Sequence, residues 1–317
     1  MSQNDKRGKM KKVYLCTFAD MRLGMSACRF KQEAENLNIF DEIFVYNETS
    51  LELDFLDKFK DKMYEKDKNS GEKIPTRGFG YWCWKPQIIL QSLARIQDGD
   101  LLLYLDVGCS FDERYKDAFY TMFEQVDKNE IMGFSQGAAL NRVWCKADIL
   151  KHYNLLNDDK FLNSDQLWGG EIFLKKCQKS TNILNELQAI FVEYWNLIDD
   201  SPSVEPNLPD FKENRHDQSV WSVIAKKHNL EIFSEKYHVI NKEDNIGGYK
   251  APFIVSRDKI YLPKTINQTR ELFKVISPLI KKYNKGKAVI VINHGIDLLT
   301  SIYFYLKDKT LWKISKG

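Results

Sequence analysis

The chain contains 317 residues, of which 43% are hydrophobic and 29% charged, and its formal net charge is +3. These proportions are typical of a soluble globular protein with one large domain or two smaller ones. No run reaches the roughly 18–20 apolar residues that a membrane span needs, which excludes a helical membrane protein. The six cysteines have no CxxC or zinc-like spacing, which favours reduced thiols and a cytoplasmic location.

Charge is distributed unevenly along the chain. Residues 264–317 hold eleven Lys and Arg against three Asp and Glu, a local charge of +8 that leaves −5 for the remainder. We therefore expect a disordered basic leader over residues 1–11, a folded body over residues 12–263 and a basic helical extension over residues 264–317. The extension is expected to pack on the body as two helices with solvated lysine faces. The alternative is that it binds an anionic membrane surface, peripheral to the inner membrane face.

The first elements of the chain predict a β-α-β unit. Val13–Phe18 and Glu42–Tyr46 are apolar and β-prone, and Ser26–Leu37 between them has a helical composition. Two strands joined through a helix pair in parallel with a right-handed crossover. Residues 51–68 are polar and helix-prone, and residues 69–80 form a loop. The chain therefore opens as part of a parallel sheet.

Strands and helices continue to alternate after this unit. Pro86 occupies a position typical of a first helical turn, and a turn at residues 98–100 precedes the apolar run of Leu101–Leu105. Further helices are predicted over residues 113–127, 147–153, 182–197 and 217–228, and further strands over 131–134, 171–174 and 231–233. The alternation predicts an α/β fold with a mostly parallel, Rossmann-like sheet flanked by helices.

The apolar run that begins at Leu101 closes on a carboxylate, Asp106, followed two residues later by Gly108. A side chain at the carboxyl end of a parallel strand lies where open α/β sheets bind ligands. Glycine allows the backbone to turn sharply or to approach a ligand closely. Because hard cations prefer carboxylate and phosphate oxygens, this arrangement suits a divalent cation that holds a diphosphate. The alternative is an ordinary strand end at which Asp106 caps a turn.

The segment from Arg77 to Pro86 combines four aromatic residues, two cations and two glycines, and it leads into a helix. A helix N-terminus offers free N–H groups to an anion, and Arg77 and Lys85 add full charges. Aromatic rings beside cations recur in sites for sugars and nucleotides. The segment therefore predicts a ligand site, and the alternative is a loop whose tryptophans fill the core.

A second polar group, His216 and Asp217, opens the helix that follows a proline-rich loop. Neutral imidazole is a good metal ligand, so His216 is a candidate to bind a metal or a diphosphate. Asp217 is a candidate to contact a sugar or an acceptor. The structural alternative for Asp217 is the helix N-cap.

Three motifs together carry a resemblance to a known family. Arg-Gly-x-Gly-Tyr-Trp-x-Trp-Lys-Pro at residues 77–86, the strand ending in Asp-x-Gly at residues 106–108, and Arg-His-Asp-Gln-Ser at residues 215–219 resemble a group of bacterial GT-A-fold glycosyltransferases. That group is associated with the assembly of capsular polysaccharide or lipopolysaccharide. The similarity covers roughly residues 12–240. It implies a GT-A-like catalytic domain, a nucleotide-diphosphate sugar donor and a saccharide or lipid-linked acceptor.

The resemblance also implies roles for individual residues. GT-A enzymes often use Mn²⁺ or Mg²⁺ bound at Asp-x-Asp, but here Gly108 replaces the second carboxylate, and Asp112 is the nearest substitute. Asp106 and His216 are the candidate metal ligands. The residues expected to bind the donor are Thr17, Phe18, Arg77, Tyr81, Trp84, Lys85, Asp106 and Gly108.

A further, shorter resemblance concerns the acceptor. Trp168-Gly169-Gly170-Glu171 resembles part of an acceptor-site motif of the β-1,4-galactosyltransferases, which implies that Trp168, Gly169 and Gly170 contact the acceptor. The alternative is a tight turn that enters a strand. An inverting enzyme needs a base near the acceptor hydroxyl, and the candidates are Asp165, Glu171 and Asp217.

Two classes of function compete with glycosyl transfer. The first is a non-catalytic protein that binds nucleotide or carbohydrate on the same fold, favoured by the missing carboxylate at Gly108. The second is nucleic-acid binding, suggested only by the basic C-terminal extension. The sequence contains no recognisable nucleic-acid module, so nucleic acid is not an expected partner.

Overall fold

The computed structural model describes residues 11–240, 250–257 and 259. Residues 1–10 of the predicted leader and the whole predicted extension, residues 264–317, lie outside the described residues. Within the described part of the chain, no helix combines the length and the apolarity required to cross a bilayer. All six cysteines lie in the described ranges and are reduced thiols.

The strands are numbered in chain order. They are β1 (Val13–Phe18), β2 (Glu42–Tyr46), β3 (Tyr64–Lys66), β4 (Lys73–Pro75), β5 (Leu101–Leu105), β6 (Ser110–Phe111), β7 (Ile131–Gly133), β8 (Ser135–Leu140), β9 (Asp165–Leu167), β10 (Glu171–Lys175), β11 (Glu231–Ile232), β12 (His238–Val239) and β13 (Phe253–Ile254).

The helices are numbered in the same way. They are α1 (Gly24–Leu37), α2 (Leu53–Met63), α3 (Gly78–Tyr81), α4 (Trp84–Arg95), α5 (Ala118–Asn129), α6 (Asn141–Trp144), α7 (Ala147–His152), α8 (Asp159–Leu162), α9 (Gln178–Glu193) and α10 (Asp217–Lys227). Short 3-10 turns occur at Met21–Leu23, Glu48–Ser50, Glu113–Tyr115, Trp195–Leu197 and Glu235–Tyr237.

A six-stranded sheet forms the centre of the fold, in the order β11-β7-β10-β5-β1-β2. β1 pairs in parallel with both β2 and β5, and β7 pairs in parallel with β11. β10 is antiparallel to its two neighbours, β5 and β7. Smaller sheets combine β12, β13 and β6, β3 with β4, and β8 with β9. The predicted α/β class with a mostly parallel sheet flanked by helices is confirmed, and the reversed direction of β10 was not predicted.

Both faces of the central sheet are buried, as the continuous apolar run of β5 indicates. Alternate residues of a strand point to opposite faces. Leu102 and Tyr104 belong to a core shared with α4, α9 and α10, whereas Leu101, Leu103 and Leu105 belong to a core shared with α1 and α5. The helices therefore cover both faces of the sheet. Polar groups can meet at the carboxyl end of β5, which the helices leave uncovered.

Two predicted boundaries differ from the observed ones for local reasons. The predicted helix over 182–197 begins at Gln178 because Ser180 and the preceding Cys177 form a capping box. The predicted loop over 69–80 contains β4, which pairs with β3 as a short hairpin.

Candidate active site

The reversed direction of β10 brings a glycine pair to the carboxyl end of β5. Gly169 and Gly170 immediately precede β10, and Asp106 immediately follows β5. The backbone N–H of Asp106 donates to the carbonyl of Gly170 at 2.8 Å. A Cβ atom on Gly170 would lie only 3.1 Å from Oδ2 of Asp106, so a side chain there would have to displace the carboxylate. Gly170 therefore holds the backbone of Asp106 and leaves room for its carboxylate.

Lys85, in the first turn of α4, is buried beside this pair, with 3% of its side chain exposed. Its Nζ atom donates to the Gly169 carbonyl at 2.6 Å and forms a hydrogen-bonded ion pair with Oδ2 of Asp217. Oδ1 of Asp106 lies 4.0 Å from the same Nζ atom. One ammonium group thus joins α4, the turn before β10, the end of β5 and the start of α10.

Asp106 is the more accessible of the two carboxylates, with 29% of its side chain exposed. The Tyr104 hydroxyl donates to Oδ1 of Asp106. Burial alone would raise the pKa of Asp106, but the nearby charges of Lys85, Lys259 and Arg257, with the Tyr104 hydrogen bond, outweigh burial and lower it. Asp106 is therefore ionised at neutral pH and surrounded by cations.

Asp217 is buried at the N-terminus of α10. Burial raises the pKa of Asp217 to about 6, and Lys85 limits that rise. A Cβ atom on Gly169 would lie 3.1 Å from Oδ2 of Asp217, so Gly169 leaves room for this carboxylate as Gly170 does for Asp106. A carboxyl group with a pKa near 6 can exchange a proton close to neutral pH.

The aromatic segment that precedes α4 adopts an unusual backbone. Five consecutive residues, Gly78 to Trp82, have positive φ angles, and four of these angles lie between 49° and 62°. The Trp82 indole packs against Gly78, where a Cβ atom would lie 2.5 Å from the ring. Trp84 donates from Nε1 to the Gly78 carbonyl at 2.9 Å and stacks on Phe18 at 4.1 Å between ring centroids. Strain of this kind persists where the surrounding structure fixes it, often at ligand sites.

Two cavities meet beside Asp106, and together we call them the cleft. The aromatic compartment has a volume of about 550 Å³, and its walls include Phe18, Phe79, Trp82 and Trp84. The cationic compartment has a volume of about 420 Å³ and is lined by five cations and two carboxylates: Arg77, Lys85, Arg215, Arg257, Lys259, Asp106 and Asp217. Arg77, Trp82, Asp106 and Lys259 line both compartments. The cleft therefore joins an apolar aromatic wall to a region with an excess of positive charge.

His216 lines the cationic compartment. Its Nε2 atom is 2.8 Å from Oδ1 of Asp200, and its ring stacks on Tyr81 at 5.3 Å. Burial lowers the pKa of His216, and the hydrogen bond to Asp200 only partly offsets this, so the ring is neutral at pH 7. Arg77 extends toward the same Asp200 and toward Glu213, at 3.5 Å from each.

Most of the residues singled out in the sequence meet at the cleft. The aromatic compartment includes Phe18 and Trp84, and the cationic compartment includes Lys85, Gly108, Trp168, Gly169, Gly170, His216 and Asp217, with Arg77 and Asp106 in both. Thr17 is fully buried in β1, and Tyr81 packs behind His216 against Trp195. Their expected contacts with a donor stay predictions.

Two of the three candidate bases lie elsewhere. Glu171 has no exposed surface, and its Oε2 atom pairs with Nδ1 of His238 at 2.9 Å inside the core. Asp165 lines a separate cavity of about 1050 Å³ and accepts a hydrogen bond from Ser135 at 3.2 Å. Neither placement supports a role as base in the cleft, because direct proton transfer needs hydrogen-bond reach of the reacting group. Asp217 is the candidate base that lines the cleft.

Sequence reasoning missed several residues of the cleft. Arg215 lies within a recognised motif, and its guanidinium stacks on Trp144 at 4.1 Å. Arg257 and Lys259 come from a region with no regular pattern, so no local signal could have assigned them to the site. Their placement depends on β13, which pairs with β6 just beyond Gly108.

The predicted metal ligands do not form a metal-binding set. Across residues 11–240, 250–257 and 259, no three His, Cys, Asp or Glu side chains gather around one point. Asp112, the expected substitute for the missing carboxylate, pairs with Arg114 at 2.7 Å instead. Asp217 is bound to Lys85, and His216 is bound to Asp200. These contacts leave Asp106 as the single carboxylate that the described part of the cleft could offer a cation directly, so Mn²⁺ or Mg²⁺ would depend on other oxygens for most of its ligands.

No protein-family model and no curated protein sequence matches this chain. Among solved structures, it is similar to a glycosyltransferase involved in glycosylation of the major capsid of PBCV-1, with 11% identity over 83% of this chain and 99% of that chain, at a TM-score of 0.44. It is also similar to mouse xyloside xylosyltransferase 1, with 8% identity over 80% of this chain and 100% of that chain, at a TM-score of 0.42.

A third similar structure is the galactosyltransferase LgtC in complex with donor and acceptor sugar analogues. It shares 11% identity over 80% of this chain and 85% of that chain, at a TM-score of 0.38. At these levels of identity and superposition, none of the three structures assigns a substrate or a site residue to this chain.

The buried ion pair between Lys85 and Asp217 should contribute to the stability of the fold. Lys85→Met should lower the free energy of unfolding by about 3–5 kcal/mol at pH 8, because it leaves Asp217 as a buried charge without its partner. Without Lys85 the pKa of Asp217 rises above about 6, so the carboxyl is neutral at pH 5 and the destabilisation is smaller there. Denaturant unfolding at both pH values measures this difference.

The matched control for that experiment is Lys60→Met, which removes an exposed lysine of α2. Its ion pair with Asp57 is on the surface, so its loss should cost less than about 1 kcal/mol at either pH. A cost of Lys85→Met that does not change between pH 5 and pH 8 would contradict the assignment of Asp217 as the titrating partner.

The positive φ angle of Gly78 and its contact with Trp82 should both affect stability. Gly78→Ala should destabilise the protein more than Gly71→Ala, although both glycines have positive φ angles, of 60° and 68°. A Cβ atom at Gly71 meets nothing within 4 Å, so that variant reports backbone strain alone, about 1 kcal/mol. At Gly78 the displacement of Trp82 should add about 1–3 kcal/mol and change the tryptophan fluorescence. Equal costs in denaturant unfolding would show that Trp82 does not depend on Gly78.

Proposed function

We propose that this protein is a glycosyltransferase that moves a sugar from a nucleotide-diphosphate donor to a saccharide or lipid-linked acceptor. The observation that carries this proposal is the junction at Asp106, where an aromatic compartment meets a cationic one around a buried ammonium group. A nucleotide sugar has complementary groups in the same order: a flat base for the aromatic compartment, and two phosphates and a polar sugar ring for the cationic one. No nucleic-acid partner is needed to explain this charge.

The two compartments suggest how such a donor binds. Its base fits against Phe18, Trp82 and Trp84, because aromatic rings offer stacking surfaces to a base. Its diphosphate then lies at the junction, within reach of the Arg77, Lys85 and Lys259 side chains that line it. The sugar extends toward Trp168 and the glycine pair, where the acceptor also enters.

Glycosyl transfer makes specific electrostatic demands on this site. The bond between the anomeric carbon and the diphosphate oxygen breaks, a bond to the acceptor oxygen forms, and the acceptor hydroxyl gives up its proton. Negative charge accumulates on the leaving diphosphate, and preorganised cations stabilise it in the transition state. The cations of the cationic compartment are positioned to do so.

Asp217 is the proposed acceptor of that proton. It lines the cationic compartment, and its raised pKa of about 6 suits proton exchange near neutral pH. Its pairing with Lys85 holds the carboxylate in one orientation. Glu171 and Asp165 are weaker candidates, since the first is enclosed in the core and the second faces another cavity.

The finer assignment follows the motif resemblance. We propose that the transferred sugar is a hexose and that the product belongs to a surface polysaccharide, either capsule or lipopolysaccharide. Such precursors are often assembled at the inner membrane face, where the basic C-terminal extension would bind anionic lipid. This assignment sets the acceptor panel for an assay, beginning with saccharides and lipid-linked saccharides.

A second candidate function is nucleotide-sugar binding without turnover. The observation that favours it is the ion pair between Lys85 and Asp217. A carboxylate held by a lysine is a poorer proton acceptor, and Asp217 is the only candidate base in the described cleft. Calorimetry that detects donor binding, together with no product from a broad acceptor panel, would support this alternative.

The activity test compares two aspartates at opposite ends of β5. Asp106→Asn should lower kcat/KM for release of nucleoside diphosphate by about 10²–10³, because it removes the charge that organises the cations at the junction. Asp98→Asn makes the same change in the turn before β5, where 90% of the side chain is exposed, and should leave kcat/KM unchanged. An Asp106→Asn variant as active as Asp98→Asn would refute the proposed site.

A further inference from the structure

We infer that two lysines, Lys85 and Lys259, take the place of a divalent cation, so that this site binds a nucleoside diphosphate without a metal. The inference rests on the proposed function and specifies how the donor diphosphate is held. It concerns the residues next to Asp106, where the resemblance implied Mn²⁺ or Mg²⁺.

The first argument concerns Lys85. A metal bound to Asp106 would approach a buried ammonium group whose Nζ atom lies 4.0 Å from Oδ1 of that residue. Like charges at such a distance repel, and Lys85 cannot move away easily because the Gly169 carbonyl and Asp217 hold it. Oδ1 of Asp106 also accepts the hydrogen bond from Tyr104. The surroundings of Asp106 therefore favour a fixed cation of the protein over a bound metal ion.

The second argument concerns Gly108, which stands where a metal-binding Asp-x-Asp motif has its second carboxylate. A Cβ atom on Gly108 would lie 2.7 Å from Cε of Lys259 and 3.2 Å from Cα of Arg257. The space that a second carboxylate would need is thus occupied by a lysine side chain. The missing carboxylate and the added cation are therefore linked, because a side chain at Gly108 would require Lys259 to move from its present position.

The third argument is the charge of the cationic compartment. Five cations and two carboxylates line it, and one of those carboxylates, Asp217, is already paired with Lys85. Asp106 lies 4.0 Å from Nζ of Lys85 and lines the compartment together with Lys259 and Arg257. Arg77 and Arg215 also face Asp200 and Glu213, at 3.4–3.5 Å. The described charges still leave a net positive charge, which an anion offsets and a free metal ion would increase. Asp106 then serves to hold the lysines in place, as a positioning residue for the diphosphate.

The test is a calorimetric titration of the full-length protein with UDP, GDP, CDP and ADP, each in EDTA and in Mn²⁺. We expect at least one of these diphosphates to bind in EDTA with a Kd within about threefold of its value in Mn²⁺. If every diphosphate that binds does so more than about threefold tighter in Mn²⁺, the inference is overturned and the proposed function still stands. Failure of every diphosphate to bind in either buffer would instead count against the proposed function.

Variants separate the lysines from general charge effects. Lys259→Met should weaken diphosphate binding in EDTA by at least tenfold, and it should leave binding of the matching nucleoside unchanged, since the nucleoside has no phosphate. Lys60→Met, on exposed α2, is the matched control and should bind the diphosphate as the unmodified protein does. Lys259→Met is the principal variant, because loss of the buried Lys85 could unfold the protein. Unchanged diphosphate affinity in Lys259→Met would overturn the inference.

Discussion

The burial of one ammonium group is the constraint on which the rest of the site depends. An ion removed from water costs several kcal/mol unless charge and hydrogen bonds compensate it. For Lys85 the compensation comes from the Asp217 carboxylate, the Gly169 carbonyl and the nearby Asp106. These groups belong to separate elements, so the ammonium can be buried only when α4, β5, β10 and α10 have assembled correctly. The lysine thus links the stability of the fold to the geometry of the cleft.

The direction of β10 explains how those elements can meet. In a purely parallel sheet, the residues before a strand lie at the edge opposite the carboxyl end of its neighbour. Because β10 runs antiparallel to β5, the turn before it meets the end of β5, and Gly170 bonds directly to Asp106. The two glycines leave room for both carboxylates: a Cβ atom on Gly169 would lie 3.1 Å from Asp217, and one on Gly170 would lie 3.1 Å from Asp106. One reversed strand therefore creates the site.

Much of this could be predicted from local sequence, and the rest could not for identifiable reasons. The apolar run of β5 ending at Asp106 and the aromatic segment leading to Lys85 are continuous patterns, and their convergence was expected. The direction of β10 could not be predicted from its local sequence, because a strand buried on both faces is apolar whichever way it runs. Glu171 was predicted as a base from the Trp-Gly-Gly-Glu resemblance, but as the first residue of β10 it is buried in the core and pairs with His238. Lys259 reaches the site only through tertiary pairing of β13 with β6.

Charge balance makes the exchange of a metal site for a lysine site physically reasonable. A second carboxylate together with a divalent cation contributes a net charge of +1 next to the first aspartate. Gly108 together with Lys259 contributes the same +1, since Asp217 offsets the charge of Lys85, and it does so without the cost of stripping water from a small dication. The attraction felt by a diphosphate is therefore similar in both arrangements, although lysine offers three directional donors where a metal offers open coordination positions. With Gly108 in place of the second aspartate, a lysine rather than a metal ion neutralises the leaving diphosphate. The reaction still receives the positive charge that it needs.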